Sequence, residues 1–238
     1  MDSIIPSLRE KLIAQGTEDR KISSARFFKT DEYIKTYGVG MSEVTKMAKS
    51  YIKVIACMEK DDFLVMCESL WQSQYIEECV IACIWAESRV KEYNVENLDC
   101  FERWIDLYVD NWATCDTLCN HTVGEFLMRF PQSIQRVATW ASSENRWMRR
   151  AASVSLIIPA RKGFFLSEIF QIADSLLMDD DDLVQKGYGW MLKAASEHNP
   201  KVVFEFLIAR RGSMPRTAYR YALEKMPPEW RAQAMKKE

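Results

Sequence analysis

The stretch DNWATCDTLCNH, residues 110–121, sets a Trp and an Asp four residues apart, beside two cysteines and one of the chain's two histidines. Positions four apart share a face of a helix, so Trp112 and Asp116 would point the same way. Such a set has three readings: a core aromatic next to a surface acid, a metal site, or a carboxylate placed for a reaction. Cys115, Cys119 and His121 offer three metal ligands, but zinc sites pair their ligands more tightly and need a fourth. His198 stands alone elsewhere. Two cysteines at i and i+4 on a helix are more often small core residues, so no metal is expected. A lone buried Asp is costly unless paired. Asp116 therefore either meets a cation such as Arg150 or faces a solvent-filled groove, and periodicity favours the ion pair.

Other chemistry-bearing runs lead to plainer readings. DDDD at 179–182 fits a helix start, where carboxylates favour the positive end of the dipole, better than a magnesium site. GVG (38–40) and GYG (187–189) lack the strand–turn–helix context of a phosphate-binding loop. No Ser–His–Asp or Cys–His pair has supporting context. Trp71, Trp85, Trp104 and Trp140 fall on apolar stripes and belong in a core, whereas Trp112 is surrounded by Asp110, Asn111 and Thr114.

The elements that position these residues read as helices throughout. In DLVQKGYGWMLKAASEH, Val184, Tyr188, Met191, Leu192 and Ala195 recur at intervals of three and four. PKVVFEFLIARR places Val202, Val203, Phe206 and Leu207 the same way, with Pro200 where a first turn tolerates it. In MSEVTKMAKSYIKVIACM, Ser42 is the expected N-cap. The helices also come in pairs. First-helix starts near Asp61, Asn97, Pro131, Phe165 and Pro200 lie 36, 34, 34 and 35 residues apart, and second-helix starts near Ile76, Trp112, Trp147, Val184 and Thr217 lie 36, 35, 37 and 33 apart. A sustained period of this length marks a helical solenoid whose pairs bury their apolar faces against neighbours. The expectation is an all-α fold, a HEAT-like helical-repeat solenoid forming one domain over 1–238, with second helices lining a concave face. Trp112 and Asp116 fall on one second helix, Arg149 and Arg150 on the next, Trp190 on the one after.

Apolar residues at 48% and charged residues at 28%, with only eight Gly and seven Pro, exclude disorder and a turn-rich all-β fold. No apolar run approaches the roughly 20 residues that span a bilayer, and the N-terminus does not resemble a secretory signal, so no membrane association is expected. Seven cysteines without paired spacing point to buried thiols in a reducing compartment, with the cytoplasm as the expected location. The net charge of −2 argues against a polyanion partner, but its distribution does not. Residues 129–162 carry Arg129, Arg136, Arg146, Arg149, Arg150, Arg161 and Lys162 against Glu144, a net of 7 − 1 = +6. Residues 92–117 carry seven acids against Arg103, a net of −6. That asymmetry permits a local anion-binding face on a nearly neutral chain.

Four motifs in order, RFFKTDEYIKTYGVG (26–40), W-x-x-x-D at Trp112 and Asp116, SENRWMRRAASVSLI (143–157) and DLVQKGYGWMLK (182–193), resemble the AlkD-type DNA alkylation repair family. That family consists of DNA glycosylases of HEAT-like repeats acting on N3- and N7-alkylated purines. The resemblance carries the family's Asp onto Asp116, its Trp residues onto Trp112 and Trp190, and its Arg onto Arg150. Two departures stand out: Lys193, where the family often has Arg after GW-x-L, and the altered spacing after FFKT.

The chemistry this implies suits the residues. Breaking an N-glycosidic bond develops oxocarbenium character on the sugar, which a nearby carboxylate stabilises. An alkylated purine is already cationic and leaves neutral, so no general acid is needed, in keeping with a site that lacks His. The resemblance gives Asp116 the role of electrostatic stabiliser that orients the attacking water. Trp112 and Trp190 flank the deoxyribose, and Arg150 binds the phosphate beside the lesion. Arg149, Arg146 and Lys193 add salt-sensitive grip on DNA. The expected partner is double-stranded DNA containing alkylated purines, bound by a monomer without a cofactor, and with no base enclosed in a pocket. With no lysine in the proposed centre, no lyase step is expected. Two other readings compete: a HEAT-like protein that binds damaged or unusual DNA without chemistry, and a protein-binding scaffold. Loss of Asp116 or its flanking Trp residues would mark the first, and the +6 segment tells against the second.

Overall fold

A computed structural model describes residues 4–28 and 34–236. Within them the chain is helical, with no strand beyond an isolated parallel bridge between Lys35 and Tyr75. No helix of the described residues is long and apolar enough to cross a membrane. Residues 29–33, in the middle of the FFKT-containing motif, lie outside the described residues.

The chain clusters into two compact units, residues 1–118 and 119–238. The first contains α1 (Ile4–Gln15), α2 (Glu18–Ala25), α3 (Met41–Ser50), α4 (Ile52–Ile55), α5 (Lys60–Gln72), α6 (Ile76–Ser88), α7 (Leu98–Tyr108) and α8 (Trp112–Thr117). The second contains α9 (Gly124–Arg129), α10 (Ile134–Thr139), α11 (Arg146–Val154), α12 (Ile157–Arg161), α13 (Leu166–Ser175), α14 (Asp182–His198), α15 (Pro200–Ala209), α16 (Arg216–Leu223) and α17 (Pro228–Met235). Every helix start expected from the repeat period falls within two residues of an observed helical start, including the 3-10 turn at Pro131–Ser133 that leads into α10.

In the first unit α6 is the central element, packed by α3, α5 and α8. Trp71, Trp85 and Trp104 are fully buried there, and the Trp85 indole donates to the Ala48 carbonyl at 2.9 Å. In the second unit α14 takes that place, against α11, α12, α13, α15 and α16. Its stripe of Val184, Tyr188, Met191, Leu192 and Ala195 is buried as the spacing requires. The GYG run lies inside α14, where its glycines serve close packing. A Cβ on Gly189 would meet the Ala218 carbonyl oxygen at 2.7 Å, and one on Gly187 the Ser153 hydroxyl at 2.9 Å. Those approaches offset the roughly 1 kcal/mol that Gly costs in a helix interior.

Two local expectations are corrected. Gly40, in extended conformation, is the N-cap of α3, so Ser42 lies inside the helix, and the helix is interrupted at Tyr51. Val202 points outward, 45% exposed, while Val203, Phe206 and Leu207 are buried. A ten-residue helix in this position buries one stripe, and Val202 sits beside it.

The DDDD run does start a helix. Asp181 caps α14, its carboxylate accepting from the backbone N–H groups of Leu183 at 2.8 Å and Val184 at 3.3 Å. Replacing Asp181 with Ala is expected to destabilise the protein by about 1–2 kcal/mol, measurable as a lower urea midpoint. The seven cysteines form no disulfide and six are buried; burial pushes the Cys100 thiol up to about 12.

Candidate active site

The DN before Trp112 explains why α8 starts where it does. Asn111, itself buried, accepts from the Thr114 N–H at 3.0 Å and is steadied through its own amide by Asp110 at 2.7 Å. This cap fixes Trp112 as the first helical residue and Asp116 one turn later on the same face. Both side chains are half-buried, whereas Thr114 and Cys115 between them are buried. α8 packs on α6, with the Cys83 thiol 3.9 Å from the Thr114 carbonyl. The solvent-facing side of α8 thus presents an indole and a carboxylate together.

Trp112 has a neighbour the sequence did not announce. Its indole N–H donates to the Phe27 carbonyl at 3.3 Å, and the Phe28 ring lies 5.8 Å away, tilted by 34°. Phe27 itself is 74% exposed. The two phenylalanines of the FFKT motif therefore meet Trp112 from the end of α2, across 85 positions of chain that no local pattern bridges. Beyond Thr117 the helix widens into a π-helical turn, Leu118–Val123, which holds Cys119 and His121. Among the described residues no three His, Cys, Asp or Glu side chains are gathered to hold a metal ion.

The remaining candidates belong to the second unit. Arg150 is only 5% exposed and donates to the Leu183 carbonyl at the start of α14, its stem lying against Gly187. Trp190, half-buried, follows two turns later on α14. The neighbouring cations are engaged in ion pairs. The Arg149 guanidinium bonds the Asp179 carboxylate at 2.6 Å and donates to the carbonyls of Ser143 and Glu144. Arg146 pairs with Asp181 at 2.9 Å and lies 4.8 Å above the Trp147 ring. Lys193 pairs with Glu224 at 3.0 Å. The acids of DDDD thus both start α14 and offset part of the positive run on α11, a pairing invisible to a charge count along the chain.

GVG has a different use from any phosphate loop. Gly38 sits at φ +82°, where a Cβ would strike the Thr17 carbonyl oxygen at 2.3 Å, and this geometry turns successive N–H groups inward. The N–H groups of Tyr37, Gly38 and Val39 donate to the buried carboxylate of Glu77 at 3.1, 2.9 and 3.1 Å. The anion held by this backbone nest is internal.

Comparison with known proteins bears on the fold and the family. No curated protein matches the chain. A solved structure, a "Predicted DNA alkylation repair enzyme from Enterococcus faecalis", superimposes with a TM-score of 0.79 over 90% of this chain and 98% of its own, at 17% identity. At that identity the likeness shows the fold, a helical one. A family model described as "DNA alkylation repair enzyme" matches residues 8–226, from α1 through α16, and the chain belongs to that family.

Proposed function

We propose that this protein is a monofunctional DNA glycosylase that hydrolyses the N-glycosidic bond of N3- and N7-alkylated purines, 3-methyladenine and 7-methylguanine among them, in duplex DNA. The observation that carries the reading is Asp116, a half-buried carboxylate one turn from the half-buried Trp112 on a capped helix, in a member of a DNA alkylation repair family. As the bond to the cationic purine lengthens, the base takes the electron pair and leaves neutral, while the sugar gains positive charge. Asp116 stabilises that charge and orients the water that captures C1′. Trp112 keeps bulk water from the sugar and offers its π-face to the developing cation. Trp190 supplies the second aromatic face that the resemblance implies. Arg150 keeps its charge despite burial and attracts the phosphate beside the lesion. Seven cysteines without a disulfide fit a reducing compartment, and we place the protein in the cytoplasm.

Single-turnover release of 7-methylguanine and 3-methyladenine from methylated duplex DNA tests the reading. Release of the free bases, with the strand left unbroken until the abasic site is cleaved separately, is the expected result. No release, with salt-sensitive DNA binding intact, would assign the chain to non-catalytic DNA binding. Arg150→Ala is expected to weaken binding and to make the plot of log affinity against log salt shallower by about 0.9, the value for one phosphate. An unchanged slope in a variant that melts cooperatively would remove Arg150 from the DNA interface.

A further inference from the structure

Of the cations that the sequence singles out, Arg146, Arg149 and Lys193 are each matched by an acid. Three arginines outside those motifs are not. Arg216 and Arg220 on α16 and Arg231 on α17 are exposed, and among the described residues none has an ion-pair partner. They line one groove of about 720 Å³ in the second unit, together with Lys186, Thr217 and Tyr221. Its charged lining is four cations against Asp182 and Glu224, and both acids are already engaged, Asp182 by Lys186 at 2.6 Å and Glu224 by Lys193 at 3.0 Å. The uncompensated charge of the groove therefore resides in the three guanidinium groups.

We propose that this groove is a nucleic-acid backbone subsite, in which Arg216, Arg220 and Arg231 hold phosphates of the DNA strand flanking the reactive nucleotide. The inference rests on the reading that the protein acts on DNA. Three features favour a phosphodiester chain over an acidic peptide. Arg216 and Arg220 are four residues apart on one helix face, about 6 Å along the axis, so the two guanidinium groups lie close enough together to engage neighbouring phosphates of one strand. The groove borders α14 along the face of Lys186, and Trp190 stands one turn further along that same face, so the groove adjoins a residue already assigned to the DNA. Tyr221 is 37% exposed and the groove is lined by the Thr217 side chain, so an aromatic surface and a neutral hydroxyl lie beside the cations, as suits sugar and phosphate oxygens.

The test is equilibrium binding of an unmodified duplex as a function of salt. All three arginines are exposed, so the variant R216A/R220A/R231A should fold, and its thermal melt checks this. The expected result is a salt slope shallower by about 2–3, at about 0.9 for each phosphate that is no longer bound. R216K/R220K/R231K, which keeps the charges, should retain the wild-type slope. A folded alanine variant with the wild-type slope overturns the subsite while leaving the DNA reading intact. A wild-type protein without salt-dependent duplex binding overturns the DNA reading itself. Polyglutamate binding as tightly as the duplex, and abolished in the alanine variant, would overturn the nucleic-acid assignment in favour of an acidic protein partner.

Discussion

Asp116→Asn is expected to slow release of 7-methylguanine from methylated duplex by at least about 10²–10³-fold, the loss typical when a single preorganised electrostatic group is removed from a transition state. Asn matches Asp in shape and can still hydrogen-bond water, so what the substitution removes is the charge facing the sugar. A reaction that passes through an oxocarbenium-like state depends on that charge. One that relied on proton donation to the base would not, because the alkylated purine needs no proton to leave. Asp116 sits half-buried on a helix whose cap, Asn111, is untouched, so the melting temperature should stay near the wild-type value. Binding to undamaged duplex should be unchanged or slightly tighter, since a negative charge leaves a surface that meets phosphates. Loss of release with retained fold and binding isolates the chemical step. A wild-type rate in the Asn variant would remove Asp116 from the reaction and leave the family's activity in this chain to be sought elsewhere.

The fold is legible in the sequence because its period is physical. Each helix buries one stripe against its neighbours, and such stripes recur wherever helices of similar length pack side by side. That is why starts as different as Pro200 and Trp112 follow from spacing alone. Trp71, Trp85 and Trp104 declare themselves as core for the same reason. Half of the candidate site is equally legible, since Trp112 and Asp116 are joined by helical geometry over a single turn.

What stays hidden depends on partners distant in sequence. The +6 segment reads as a free cationic strip, yet Arg146 and Arg149 are held by Asp181 and Asp179, which follow them by 35 and 30 positions. A charge count along the chain gives that segment more weight than its unpaired charge warrants. Arg216, Arg220 and Arg231 are spaced four and eleven positions apart, and the packing of α14, α16 and α17 gathers them into one groove. Phe27 and Phe28 are visible as part of a motif, while their contact with Trp112 is not.

The deepest of these hidden features gives the largest stability prediction. Glu77 and Glu78 open α6 and read as ordinary first-turn acids, but both are fully buried. Glu78 receives the Arg9 guanidinium through bonds of 2.9–3.2 Å and the Tyr37 hydroxyl at 2.6 Å; burial, and then this bond, push the Tyr37 phenol well above its usual range. Glu77 accepts from neutral donors: the Thr36 hydroxyl at 2.6 Å and the three N–H groups of residues 37–39. Glu77→Ala would deprive all four donors of their acceptor in a buried setting. The expected cost is about 3–5 kcal/mol, since hydrogen bonds to a charged group contribute about 1.5–3 kcal/mol each and unsatisfied buried donors add to the loss. At roughly 2–4 °C per kcal/mol this lowers the melting temperature by about 6–20 °C. Glu77→Gln keeps one acceptor oxygen and should cost markedly less. In that variant, amide exchange at Gly38 and Val39 should accelerate while exchange in the α14 core does not, because the opening is local to the nest. A wild-type melting temperature for Glu77→Ala would mean that the four donors find other acceptors, and that the buried carboxylate does not hold residues 36–39 against α6.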